Sequence, residues 1–191
     1  MDEKFLKLSN LFKEEKYDEL ILFIQSSFKD KSSQIFNLLG VARLFNSKDK
    51  VSLILALSDF KQGYLKEKTT NFGLEALINF INTAVDLYIL QSPAEDVIND
   101  SSIFLNQTNE LFEEAEICFG YNEKLVSAII RVYQNQGNLN KTLFYLKKQF
   151  EKNDLNLSRF SSWIFFNNYK KSWTQADFLK YSKLFADKIE N

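Results

Sequence analysis

Five glycines and one proline are the only strong breakers in a chain of 191 residues. β-Hairpins need such residues at nearly every turn, so this supply cannot punctuate many of them. Helical spacing, by contrast, recurs throughout. Phe5, Leu8, Leu11 and Phe12 form one apolar stripe, and Tyr17, Leu20, Ile21 and Ile24 form the next. Leu125, Ile129, Val132 and Tyr133 form another, answered after Gly137 by Leu143, Leu146 and Phe150.

Short polar segments separate the stripes, among them Lys29 to Ser33, Asn46 to Lys50, Gln91 to Pro93 and Lys152 to Asn156. Short connections between striped helices imply antiparallel neighbours. The pattern predicts about ten helices, over 3–14, 17–29, 33–46, 50–66, 71–91, 94–118, 122–136, 139–152, 156–169 and 174–190. Ser32 or Ser33 suits the start of the third. Thr174 with Asp177 reads as a capping box, and Gly137 suits a left-handed end to the seventh.

The charge is nearly balanced, 24 Lys and Arg against 25 Asp and Glu, and most of the cations are lysine. A nucleic-acid groove normally needs a basic surface, so nucleic acid is not the expected partner. The longest apolar patch, Leu77 to Leu90, is broken by Asn79, Asn82, Thr83 and Asp86, which argues against a membrane span. The start, Met1 to Asn10, is mixed and charged, unlike a secretory signal. Histidine is absent and cysteine occurs once, as Cys118. That removes histidine acid–base and nucleophile chemistry, histidine metal ligands and cysteine zinc clusters. No catalytic residue, metal site or cofactor is expected in these residues. Cys118 reads as a small buried hydrophobe in a reducing, cytoplasmic setting. The acidic run Glu113, Glu114 and Glu116 reads as a solvated helix face.

Paired helices invite a search for a period. The tetratricopeptide repeat is a helix–turn–helix unit of about 34 residues. Val126, Ile129, Ile130, Tyr133, Gly137, Leu139, Thr142 and Leu146 match its positions without a gap. The first unit reads Phe5, Leu8, Ser9, Phe12, then Tyr17 and Leu20 after a shortened loop. The second carries Leu39 and Gly40, then Ala56, Phe60 and Gly63. The third, from Glu75 to Asn82, has stretched helices. The expected fold is all-α, a tetratricopeptide-like, right-handed superhelix of helical hairpins. Residues 1–155 would form about four degenerate repeats, and 156–191 a C-terminal pair acting as a cap or a linker. An unrelated helical bundle is the alternative, and the gapless fourth unit argues against it.

In such a superhelix the first helix of each pair lines a concave groove. The inward positions predict Glu3, Leu6, Asn10, Lys13 and Glu14 in the first unit, and Gln34, Asn37, Val41, Leu44 and Phe45 in the second. The third contributes Glu75, Ile78, Asn82, Val85 and Asp86, and the fourth Lys124, Ser127, Arg131, Gln134 and Asn135. Amides recur at Asn10, Gln34, Asn37, Asn82, Gln134 and Asn135. Amides donate and accept, so they can hold an extended peptide by its backbone. A plain solvated face is the alternative for any one of them. Val41, Leu44 and Phe45 are apolar, which suggests that neighbouring helices fill part of the groove.

The C-terminal pair departs from the repeat. Ser161, Phe165, Asn168 and Tyr169, then Thr174, Phe185 and Ala186, resemble the segment that joins repeats to catalytic lobes in the O-linked N-acetylglucosamine transferase and SPINDLY-type family. Glu75, Ala76, Asn79, Phe80 and Asn82 are similar to that family's repeat signature. The resemblance implies that Asn79 grips acceptor peptides, and that these residues are the acceptor-recognition part of a protein O-glycosyltransferase. Gln175 and Ser182 replace that family's proline and histidine, and its nucleotide-sugar lobes would begin only after Asn191. A generic capping pair, or a stand-alone adaptor for protein partners, is the other reading. Trp163 and Trp173 would either mark a docking face or be buried in the cap. The partner in every reading is a protein or peptide, with neither nucleic acid nor membrane, and the sequence leaves a homodimer open.

Overall fold

The computed structural model describes residues 3–90, 100–152 and 157–190. Among them stand ten helices and no strand: α1 (Glu3–Lys13), α2 (Tyr17–Ser27), α3 (Ser33–Asn46), α4 (Lys50–Lys66), α5 (Asn71–Leu90), α6 (Asp100–Phe119), α7 (Glu123–Asn135), α8 (Leu139–Lys152), α9 (Leu157–Asn167) and α10 (Gln175–Glu190). The fold is all-α and built of helical hairpins. The connection expected at Gln91 to Pro93, the first residues of the helix expected over 94–118, and most of the connection expected over 152–156 lie outside the described residues.

The chain divides into two compact units, 1–125 and 126–191, with the boundary in the first turn of α7. The predicted C-terminal pair, α9 and α10, therefore shares its unit with most of α7 and with α8.

Polar side chains at the helix starts satisfy the backbone donors that a first turn leaves open. Ser32 Oγ accepts from Ile35 N, Asp49 Oδ1 from Ser52 N at 2.8 Å, and Thr70 Oγ1 from Gly73 N. Before α10, Thr174 Oγ1 accepts from Asp177 N, and Asp177 Oδ2 accepts from both Thr174 N and Thr174 Oγ1. This is a reciprocal capping box that uses Asp.

The turns after α1 and α7 share one hydrogen-bond pattern. Glu15 N donates to Phe12 O and Lys16 N to Leu11 O; correspondingly Gly137 N donates to Gln134 O and Asn138 N to Tyr133 O. Tyr17 N to Glu15 O and Leu20 N to Lys16 O have their counterparts in Leu139 N to Gly137 O and Thr142 N to Asn138 O. Both turns pass through the left-handed region, at Glu15 (φ 57°) and Gly137 (φ 66°). The first and fourth hairpins are thus closed by the same device, a six-to-one bond over a left-handed residue.

In the first unit α1, α2 and α3 share a core of Leu8, Leu11, Leu20, Ile24, Ile35, Leu39 and Ala42. Helices α3, α4 and α5 then pack on one another, and α5 also packs on α6. Close crossings fall where the repeat predicts small residues. A Cβ on Gly40 would lie 2.5 Å from the Phe60 ring, and one on Gly63 would lie 3.1 Å from the Ala76 Cβ. Helix α5 is long and apolar enough to cross a membrane by length and composition, which the interrupted patch did not lead one to expect. Its apolar residues have another use: Leu77, Phe80, Ile81, Ala84 and Leu87 are fully buried between neighbouring helices.

In the second unit the Tyr133 ring of α7 stacks on Tyr145 of α8, with centroids 5.7 Å apart. Gln149 Nε2 and Arg159 Nη2 both donate to Ser127 Oγ. Trp163 is 8% exposed and meets Phe150, Phe160, Trp173 and Tyr181 edge-on or stacked. Trp173 stacks on Tyr181 and its Nε1 is buried. Trp163 is therefore buried among aromatic rings of α8, α9 and α10, and Trp173 is half-buried against it. Cys118 departs from the expectation of burial: it is exposed, in the last turn of α6.

Candidate peptide-binding groove

Helix α3 presents Asn37, Val41, Leu44 and Phe45 at helical spacing, so they share one face. Helix α5 presents Asn79, Asp86, Ile89 and Leu90 in the same way. The two faces meet over a groove of about 620 Å³, whose lining includes Val41, Leu44, Phe45, Asn79, Asp86, Ile89 and Leu90. Lys48, from the turn after α3, and Leu53 of α4 complete it.

The walls are mostly apolar and much of that surface is open. Phe45 is 60% exposed and Ile89 and Leu90 are each 54% exposed. Phe45 is nevertheless fixed: its ring stacks on Tyr17 at 5.4 Å and meets Phe12 edge-on at 6.2 Å. Neighbouring helices support the expected apolar side chains and do not fill the groove.

Two polar features interrupt the apolar surface. Asn79 Nδ2 donates to Asn37 Oδ1 at 2.8 Å, joining α5 to α3. Each amide has donor and acceptor capacity beyond this one bond. Lys48 and Asp86, both exposed, add one charge of each sign at the edge. The groove thus offers apolar contact, one amide pair and two opposite charges, which suits non-covalent capture of a polypeptide segment. Among the described residues no group of three His, Cys, Asp or Glu stands close enough to hold a metal ion.

The structure brings together only part of the predicted set. Asn79 and Asp86 line the groove, and Asn37 is joined to it through its hydrogen bond from Asn79. Asn82 is half-buried on α5 and Gln34 is exposed at the start of α3; neither lines the groove, and neither does the exposed Asn10 of α1. Val85, predicted to face inward, is fully buried. Arg131, Gln134 and Asn135 belong to the second unit. There Asn135 Nδ2 is turned back onto the Arg131 carbonyl of its own helix at 2.8 Å, while Gln134 borders a smaller cavity.

Lys48, Leu53, Ile89 and Leu90 were not anticipated. Ile89 and Leu90 continue the α5 stripe one turn beyond Asp86, a turn that the standard repeat lacks and the elongated α5 supplies. That extra length was readable; Leu53, from the second helix of its hairpin, had no such signal. No family model matches the chain, and neither does any curated protein or solved structure.

Proposed function

We propose that the chain is a helical-hairpin binding module that takes an apolar-rich segment of a partner protein between α3 and α5. The observation that carries this reading is the open, supported apolar wall of Val41, Phe45, Ile89 and Leu90 beside the Asn37–Asn79 pair. Exposed apolar surface of this kind, rimmed by polar groups, is typical of interaction sites. The test is selection of a displayed random peptide library on the full chain. Binders should be rich in Leu, Ile and Phe and should lose the Ile89→Asp variant, whose exposed position leaves the fold intact. Binders indifferent to Ile89→Asp would overturn the reading.

A narrower version makes the captured segment the acceptor of a protein O-glycosyltransferase. Its support is the resemblance of Ser161, Phe165, Asn168 and Tyr169 and of the Thr174 to Ala186 helix, together with the position of Asn79 in the groove. The version without a sugar is a stand-alone adaptor. Reading the encoding gene past the Asn191 codon separates the two: a strand and a nucleotide-binding pattern would favour the transferase, and a stop codon the adaptor. Transfer of a labelled sugar by these residues alone would count against both. The exposed single thiol of Cys118 fits a reducing, cytoplasmic setting, because an exposed thiol in an oxidising compartment tends to pair between chains.

A further inference from the structure

The near balance of charge over the whole chain conceals a partition between its two units. Residues 1–125 carry 13 Lys and Arg against 20 Asp and Glu, whereas residues 126–191 carry 11 against 5. Salt screens exposed charges beyond about 8 Å at physiological strength, so a partner meets the charge of the unit it touches and not the total. The chain is therefore acidic in one unit and basic in the other, while its total charge of −1 leaves two copies with almost no net repulsion.

Two helix faces concentrate the contrast. On α8, Thr142, Leu143, Leu146 and Gln149 are buried, and the opposite face carries Lys141, Phe144, Lys147, Lys148 and Lys152. Phe144 is 60% exposed at the centre of that face. The one acid of α8 is Glu151, whose Oε1 lies 3.5 Å from Lys147 Nζ. On α6, Leu105, Thr108, Phe112 and Ala115 are buried, and the opposite face carries Ile103, Asn106, Glu110, Glu113 and Ile117 in one line. Ile117 is 86% exposed. Nearby Glu114 is already paired with Lys68. Each face thus joins exposed apolar side chains to charges, and the charges are of opposite sign. The surface that complements α8 in both respects is carried by the chain itself.

We infer that the α8 face is an interaction surface for a second copy of this chain, which meets it with the α6 face. Lys141, Lys147, Lys148 and Lys152 of one copy oppose Glu110 and Glu113 of the other, and Phe144 packs against Ile103 and Ile117. A contact between unlike surfaces closes on a twofold axis when each copy gives both, and otherwise continues head to tail. The test is sedimentation velocity of the full chain over a range of concentrations, at low and at high salt. The expected result is a sedimentation coefficient that rises with concentration at low salt and does so less at high salt. Lys147→Glu with Lys152→Glu, and Glu110→Lys with Glu113→Lys, should each weaken self-association about ten-fold or more, because like charges then face each other. All four positions are exposed, so melting should change little. Mixing the two variants makes the contacts complementary again and should restore association. Ile117→Ser leaves the charges untouched and should weaken association as well. A parent that stays monomeric at low salt, whether or not its lysines bind heparin, would overturn the proposal. So would a mixture of the two variants that stays monomeric, or variants that associate as tightly as the parent.

Discussion

Asn79 on α5 donates its side-chain N–H to the side-chain carbonyl oxygen of Asn37 on α3 across 2.8 Å, beside a mostly apolar groove. A half-buried amide pair stabilises modestly while intact and costs more once one partner is left alone. Asn37→Ala or Asn79→Ala should each destabilise the chain by about 1 kcal/mol. Asn37→Leu with Asn79→Leu should cost less than the two single changes summed, because no orphaned amide remains. Urea denaturation of the four proteins gives the coupling. Peptides selected on the parent should bind the leucine pair more weakly if they also use the remaining amide groups; strict additivity would show that the two amides act independently.

Gly40 and Phe60 set the spacing of α3 against α4. The Phe60 ring is fully buried and three of its carbons lie within 2.8 Å of where a Gly40 Cβ would stand. Gly40→Ala should destabilise by roughly 1–3 kcal/mol through overpacking. Phe60→Leu removes the ring edge, so the double variant should recover part of that loss. Denaturant midpoints for the single and double variants check both statements.

Arg43 Nε lies 2.7 Å from Asp59 Oδ2, with both side chains largely buried. Burial pushes the Asp59 carboxyl above its ordinary range of 3.8, against the downward pull of Arg43 and Lys31. A raised folded value favours the protonated form in the folded state. Its contribution to stability is therefore full below pH 3.8 and is lost as pH rises through the folded value. Relative to the parent, Asp59→Asn should gain stability as pH is raised from about 3 to 7, since it lacks this loss. Arg43→Met should behave oppositely, costing roughly 1–3 kcal/mol at neutral pH and less once Asp59 is protonated. Thermal melts of the three proteins across that range decide it; a pH-independent penalty for Arg43→Met would show that the guanidinium acts through packing alone.

The helices were legible because their ends are written in local chemistry. The spans predicted over 33–46, 50–66 and 139–152 coincide with α3, α4 and α8, and Ser32, Asp49 and Asn138 cap their starts. The Thr174–Asp177 box and the left-handed Gly137 were equally local and equally readable. The groove was legible only in part, because it depends on which stripe faces which neighbour. Val41, Leu44 and Phe45 were placed correctly by register. Val85 was not: on the elongated α5, packed on several sides, an inward repeat position became core. Asn37 and Asn79 each carried a signal as an isolated amide, but their mutual bond spans two hairpins and no spacing rule encodes it.

Glu15 and Gly137 occupy the same left-handed position in equivalent turns, which yields a reciprocal exchange. A residue with a Cβ is strained there by about 1 kcal/mol, whereas glycine costs somewhat less through the freedom it regains on unfolding. Glu15→Gly should therefore stabilise the chain by a few tenths to about 1 kcal/mol. Gly137→Glu should destabilise it by a similar amount through local backbone strain, since a Cβ on Gly137 would meet nothing within 4 Å beyond its own chain neighbours. Gly137→Asn should cost less than Gly137→Glu, because asparagine tolerates this region better. Equilibrium denaturation of these variants measures each step. If Glu15→Gly weakened the chain, the Glu15 side chain would have to supply an interaction that outweighs its backbone strain, and the two turns would be alike in hydrogen bonding but not in energy.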